Sequence, residues 1–342
     1  MADRRDLTRI ALLGGSIAAG AAFAQRRHAM SVAADPERAL LEAPPRGKPL
    51  KVTSADGTEL HAEVFGLHEG PTLVLAHGWT EVRYYWIYQI RELSNEFRIV
   101  AYDARGHGRS SRPPQADYGA ARQGEDLEAV LQAAVPPGER AIVAGHSLGG
   151  MAIAAWAESH DVAARASGAA LLFTGVDGLI GGQLVVHVPR FAQALAEPIA
   201  AHGFLGSRAP LPRASTPLSH AMIRYVAFGP AATPAKVAFY ERMLIACPAD
   251  VRSATGLAMQ RIDLRHALPN LTVPTLVMAG ELDRLTPPAH ARRIAEELPN
   301  LQALIELPNT GHMGPLERPT EVSAALRELA KATLPAAPAA LR

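Results

Sequence analysis

The sequence predicts an α/β protein: a mainly parallel sheet covered by helices on both faces, with one helical insertion. Three observations carry this. Short apolar runs at 72–76, 98–102, 141–144 and 168–173 alternate with longer stretches of helical spacing, such as 84–93 and 124–134. The alternation stops after residue 173 and resumes with runs at 274–279 and 301–306, each followed by a helical segment, 289–298 and 320–332. The intervening block, 178–268, has helix-like apolar spacing broken by Gly and Pro and little strand character.

Taken in order, the chain begins with an uncharged stretch, 10–24, flanked by Arg4, Arg5 and Arg9 before it and Arg26 and Arg27 after it. Residues 1–30 are therefore expected to be a signal or membrane-anchor segment. Fifteen helical residues span only about 22 Å against a hydrocarbon core of roughly 30 Å, so a crossing would recruit flanking residues. Arg4-Arg5-Asp6-Leu7 resembles a twin-arginine export signal, and Ala22-Phe23-Ala24 has the small-x-small form of a peptidase site, although Arg26 and Arg27 follow at once. The expectation is a membrane-associated or exported protein, with an amphipathic terminal helix on a cytoplasmic protein as the alternative. Residues 31–49, charged and with four prolines, read as a linker. The main domain then comprises 50–177 and 269–342, with 178–268 as a helical cap. It opens with a hairpin, 51–53 and 59–65, around Asp56-Gly57. The last residues, 334–342, read as a frayed tail.

Composition removes several function classes. Of 342 residues 48% are hydrophobic, enough for a large core, while 34 basic against 33 acidic residues leave a formal charge of +1 and no general attraction to nucleic acid. The single cysteine, Cys247, excludes an intramolecular disulfide and a multi-cysteine metal site.

The chemistry centres on Gly145-His146-Ser147-Leu148-Gly149-Gly150, between the apolar run 141–144 and a helix starting near Leu148. A serine on so sharp a strand-to-helix turn needs small neighbours, and the turn lifts its Oγ clear of the sheet edge. A neutral serine needs a base. His312, in the loop after the run 301–306, is the candidate among 13 histidines. That imidazole needs an orienting carboxylate, and Asp283, in the loop after 274–279, is favoured, with Glu281 and Asp177 as rivals. Backbone N–H groups of Leu148 and of Trp79, in Ala76-His77-Gly78-Trp79-Thr80, are the candidate oxyanion donors, with His77 bracing that loop.

With Ser147, Asp283 and His312 in that order and His77-Gly78 upstream, residues 50–332 resemble the α/β-hydrolase family, most of all its bacterial esterase, lipase and cofactor-free peroxidase members. Residues 102–110 match the family's D-x-R-G-x-G-x-S stretch, which the resemblance assigns to a structural turn, so Asp103 and His107 are not expected to be catalytic. The resemblance implies the α/β-hydrolase fold, a cap over the site that sets substrate choice, a small-molecule acyl substrate, and no metal or cofactor. A serine nucleophile separates the chain from the epoxide hydrolases and haloalkane dehalogenases, which use aspartate. Tyr85, Trp86, Phe204, Tyr225, Phe228, Phe239 and Met243 could line an acyl pocket, but core packing is the expectation for most of them. Cleavage of a carboxylic ester or related acyl bond, with thioester, lactone and amide left open, through an acyl-enzyme is the expected activity. Acyl transfer to hydrogen peroxide, or a non-catalytic binding protein on the same fold, are the alternatives.

Overall fold

Among the described residues, eight strands form one sheet: β1 (Lys48–Thr53), β2 (Glu59–Gly66), β3 (Thr72–Ala76), β4 (Arg98–Tyr102), β5 (Ala141–His146), β6 (Ala166–Leu172), β7 (Thr275–Gly280) and β8 (Leu301–Leu307). The structure is a computed structural model describing residues 4–179, 203 and 205–333, with side chains from residue 19 onward. Residues 180–202 of the expected cap, Phe204, the 334–342 tail and the side chains of Arg4, Arg5 and Arg9 lie outside the described residues.

The strand order is β1-β2-β4-β3-β5-β6-β7-β8, and β2 alone runs opposite to the other seven. Every residue of β3, β5, β6 and β7 is buried, which is why these strands appear as unbroken apolar runs instead of alternating ones. Alternate side chains enter two separate cores. Val74, Ala76 and Val143 point into one, and Leu73, Leu75, Ile142 and Ala144 into the other.

The helices are α1 (Arg4–Ala33), α2 (Arg38–Glu42), α3 (Ile87–Leu93), α4 (Ala120–Ala134), α5 (Leu148–Ser159), α6 (Val162–Arg165), α7 (Pro217–Ala227), α8 (Pro234–Ala246), α9 (Ala249–Met259), α10 (Pro288–Glu297), α11 (Gly314–Glu317) and α12 (Pro319–Thr333). Leu127 of α4, Ile153 of α5 and Ile294 of α10 close the first core, and Ile90 of α3 and Leu326 of α12 close the second. Helices α7, α8 and α9 occupy the block between β6 and β7. Each of the first two starts with a threonine cap and proline in the first turn: Thr216 and Ser219 form a reciprocal capping box, and Thr233 accepts from the Lys236 N–H.

The amino-terminal arm corrects one expectation. Residues 31–49 are no irregular linker, because α1 runs to Ala33, α2 follows, and the turn between them is bonded to the insertion. Asp35 Oδ2 accepts the Ala235 N–H at 2.8 Å, satisfying a first-turn donor of α8 that has no intrahelical partner. Glu37 accepts from Thr233 Oγ1 (2.9 Å) and Tyr88 OH (2.9 Å) and pairs with Lys236 Nζ (3.1 Å). These partners lie up to 200 positions away, out of reach of local pattern. Within α1, residues 19–24 are exposed, and Gln25 Nε2 donates to the Ser215 carbonyl (2.9 Å) while His28 Nε2 meets Ser215 Oγ (2.7 Å). No helix of the described residues is long and apolar enough to cross a membrane.

Candidate active site

Ser147 sits between β5 and α5 in the left-handed region (φ 49°, ψ −113°), a conformation a non-glycine residue adopts only when its surroundings enforce it. The surroundings do so by close approach. A Cβ on Gly145 would run into the Gly149 backbone, and one on Gly149 into the Ala76 carbonyl. The Ser147 N–H donates to the Leu172 carbonyl (3.0 Å), and Thr174 Oγ1 donates to the Ser147 carbonyl (2.7 Å). Leu148, the next residue, opens α5, so its N–H lies in the first turn and has no intrahelical acceptor.

His312 lies in the loop after β8, buried, with its own N–H donating to the Ala227 carbonyl of the insertion (2.8 Å). Its Nδ1 donates to Asp283 Oδ2 at 2.8 Å. Asp283 is itself fixed: Oδ1 accepts the N–H groups of Leu285 (2.8 Å) and Thr286 (2.9 Å), and Oδ2 also accepts from Thr286 Oγ1 (2.9 Å). Burial disfavours a charged His312 ring, but the Asp283 charge and hydrogen bond more than offset it and raise the imidazole above its ordinary value. The rivals for this place are occupied elsewhere. Glu281 accepts the Asn309 N–H (3.0 Å), and Asp177 pairs with Arg293 (3.2 Å) and Arg265 (4.0 Å).

The loop after β3 is braced by two neutral histidines. His77 Nδ1 donates to the Gly78 carbonyl (2.7 Å) and its Nε2 accepts from the Ala104 N–H (2.9 Å), while burial holds its basicity down. His107 Nδ1 donates to the Arg105 carbonyl (3.0 Å), its Nε2 accepts from the Thr80 N–H (3.3 Å), and burial lowers its pKa to about 3. Asp103 pairs with Arg83 (2.7 Å) and accepts the Arg109 N–H (2.9 Å), so it too serves the scaffold. Trp79 Nε1 donates to the Arg252 carbonyl (2.9 Å), fastening this loop to α9.

Ser147, His312, Trp79 and Thr286 border a single cavity of about 540 Å³ between sheet and insertion. Its far wall is aliphatic, with Leu205, Met222, Ile223, Leu244 and Met259, and Leu218 and Met222 stand exposed at its rim. Among the described residues, the aromatic candidates offered by the sequence do not line it. Tyr85, Trp86, Phe228, Phe239 and the aliphatic Met243 are packed in the second core, and Tyr225 lies on the surface against Arg284. Two residues missed by pattern also belong to the site: Glu81, on the cavity wall, and His146, directly beneath Ser147. The only local signal was adjacency, since Glu81 lies two positions after Trp79 and His146 one before Ser147. Among the described residues, no group of three or more His, Cys, Asp or Glu could hold a metal ion.

Comparison with known proteins places this geometry in context. A family model described as alpha/beta hydrolase fold matches residues 71–319. A pimeloyl-[acyl-carrier protein] methyl ester esterase of Xanthomonas oryzae pv. oryzae is 30% identical over 276 residues, covering 78% of this chain and 97% of the relative. Among solved structures, the esterase RhEst1 of a Rhodococcus species is 26% identical with a TM-score of 0.63, covering 84% of this chain and all (100%) of that one. A membrane phospholipase A described as a bacterial virulence factor shares the fold at 24% identity and a TM-score of 0.65. That likeness covers 97% of this chain and 99% of the other, and so takes in part of the amino-terminal arm.

Proposed function

This chain belongs to the α/β-hydrolase family and is an ester-hydrolysing enzyme, and on that premise we propose that it cleaves esters of aliphatic carboxylic acids through an acyl group carried on Ser147. The observation that carries the proposal is that Ser147 and His312 border one aliphatic cavity, with Asp283 bonded behind the imidazole.

The Ser147 Oγ attacks the acyl carbonyl as His312 Nε2 takes its proton. Because Asp283 accepts from Nδ1, the neutral ring keeps its proton there and leaves the lone pair on Nε2 available as the base. The tetrahedral oxyanion is received by the backbone N–H groups of Leu148 and Trp79. Collapse expels the alcohol, which takes the proton from His312. Water then attacks the acyl-serine with His312 again as base, releasing the acid and restoring the Ser147 hydroxyl. The aliphatic wall of the cavity favours an uncharged, apolar acyl chain.

Membrane association or export through residues 1–30 belongs to the same proposal. Its support is the apolar stretch 10–24 and the docking of α1 beside α7, whose exposed Leu218 and Met222 form the cavity rim. Cell fractionation of the full chain and a version beginning at Arg26 tests it, and equal recovery of both in the cytosol refutes it.

Hydrolysis of p-nitrophenyl esters from acetate to dodecanoate tests the catalytic proposal. Turnover is expected in the parent and loss of roughly a thousandfold or more in Ser147→Ala. Undiminished turnover in that variant overturns it.

A further inference from the structure

The buried Glu81 and His146 are not explained by the Ser147, His312 and Asp283 relay. Glu81 is 1% exposed and His146 fully buried. Glu81 Oε2 accepts the Gly78 N–H at 2.6 Å, which fixes the carboxylate to the loop carrying Trp79. His146 Nδ1 faces both carboxylate oxygens, at 3.1 Å (Oε1) and 3.2 Å (Oε2), and its Nε2 lies 2.9 Å from the His312 carbonyl oxygen. The ring is stacked on Tyr85 at 4.6 Å and meets the His312 ring at 4.9 Å, while Phe173 closes another side at 6.2 Å.

The donors and acceptors determine the protons. A carbonyl oxygen can only accept, so His146 Nε2 must carry a hydrogen. A neutral ring would then aim the Nδ1 lone pair at a carboxylate, acceptor against acceptor, in a buried place where such a clash is expensive. One more proton must lie between Nδ1 and Glu81. Nδ1 lies almost equally far from Oε1 (3.1 Å) and Oε2 (3.2 Å), the arrangement of one N–H shared between two carboxylate oxygens and not of an O–H on one of them, which puts that proton on nitrogen. We propose that Glu81 holds His146 as an imidazolium, and that this buried ion pair is a positioning device for the reaction proposed above. It ties the oxyanion loop at Gly78 to the base loop at His312 through the residue preceding the nucleophile. It also cancels a carboxylate charge that would otherwise stand on the cavity wall and oppose the developing oxyanion.

Two readouts test this, and the first does not require turnover. In protein with ¹⁵N-labelled histidine at neutral pH, His146, identified by its loss in His146→Gln, should show two ring N–H groups, and in Glu81→Gln only the Nε2–H. A single ring N–H in the parent overturns the proposal even if the enzyme is fully active, and two remain meaningful even if the ester proposal fails. The second readout is a double-mutant cycle on kcat for a p-nitrophenyl ester. His146→Gln can still donate to the His312 carbonyl but strands the Glu81 charge, so kcat should fall roughly tenfold or more with KM nearly unchanged. Glu81→Gln, which can accept from Gly78 and donate to a neutral His146, should cost much less. Combining the two removes the stranded charge and should recover most of the loss. A double variant no better than His146→Gln overturns the charge-cancelling role, because a purely steric contribution would not be rescued.

Discussion

Replacing Asp283 by asparagine tests the orienting role with almost no change in shape. Oδ1 accepts two backbone N–H groups, from Leu285 and Thr286, and an amide nitrogen cannot. The asparagine carbonyl must therefore take that place, which turns its NH₂ toward His312 Nδ1, now 2.8 Å from Oδ2. Facing a donor, Nδ1 must give up its hydrogen, so the neutral ring carries its proton on Nε2 and has no lone pair for Ser147. The equivalent exchange in a serine-protease triad lowers kcat about 10⁴-fold, so a loss of roughly 10³–10⁴, or about 4–5.5 kcal/mol of barrier, is expected here. Steady-state hydrolysis of a p-nitrophenyl ester measures it, with thermal unfolding as a control, since the bonds to Leu285 and Thr286 survive and Tm should move by no more than a few degrees. Asp283 also raises the His312 pKa, and the base must be neutral to act. The acid limb of kcat/KM in the parent should thus lie above the usual imidazole value of about 6.5, and in Asp283→Asn any residual limb should move down. More than about a tenth of parental kcat in Asp283→Asn, or a matching loss in Glu281→Gln, would refute the assignment.

Three further outcomes follow from the geometry. Each methylene buried in the aliphatic cavity contributes about 0.8 kcal/mol, so kcat/KM for straight-chain esters should rise roughly fourfold per carbon until the space is filled, and a decline from acetate onward would show that the acyl chain lies elsewhere. Asp35→Ala should cost about 1 kcal/mol, or a few degrees in Tm at pH 7, by removing the acceptor at the start of α8. Burial opposes the Asp35 charge, but the N–H groups of Ala235 and Glu37, Thr233 and the nearby Lys236 more than offset it and hold the carboxyl below its ordinary 3.8. That stabilisation is present above the unfolded value and is lost as pH falls through the folded one, so the Tm gap between parent and variant should close below about pH 4. Burial pushes the Cys247 thiol up to about 12, so iodoacetamide should modify it, by mass spectrometry, only after unfolding.

What was legible in the sequence was local or continuous along the chain. The core strands stand out because both their faces are buried, and Ser147 because the close approaches of Gly145 and Gly149 require glycine on either side of it. His312 and Asp283 were readable because each follows a strand in a short loop at the same edge of the sheet. Contacts between distant segments left no periodic trace: Asp35 finishes a helix that begins at Pro234, and Glu81 meets His146 across 65 positions. Which residues line the cavity was not legible for a related reason, although the core packing expected for most of the aromatic candidates is what the structure holds. Which side of α8 faces the site depends on how that helix is rolled against β-strand loops and α7. The roll directs Phe239 and Met243 inward to the second core and leaves Leu244 at the cavity.

Among the residues whose side chains are described, Gln25 is the first along α1 to bond to the body, and this bears on maturation. Peptidase cutting after Ala24 would remove six exposed positions, 19–24, and everything before them, while leaving the Gln25 and His28 bonds to Ser215 and the Asp35 anchor untouched. Among the described residues such a cut would leave every contact to the body in place, so chains with and without residues 1–24 should show the same ester preference and the same enclosure over Ser147.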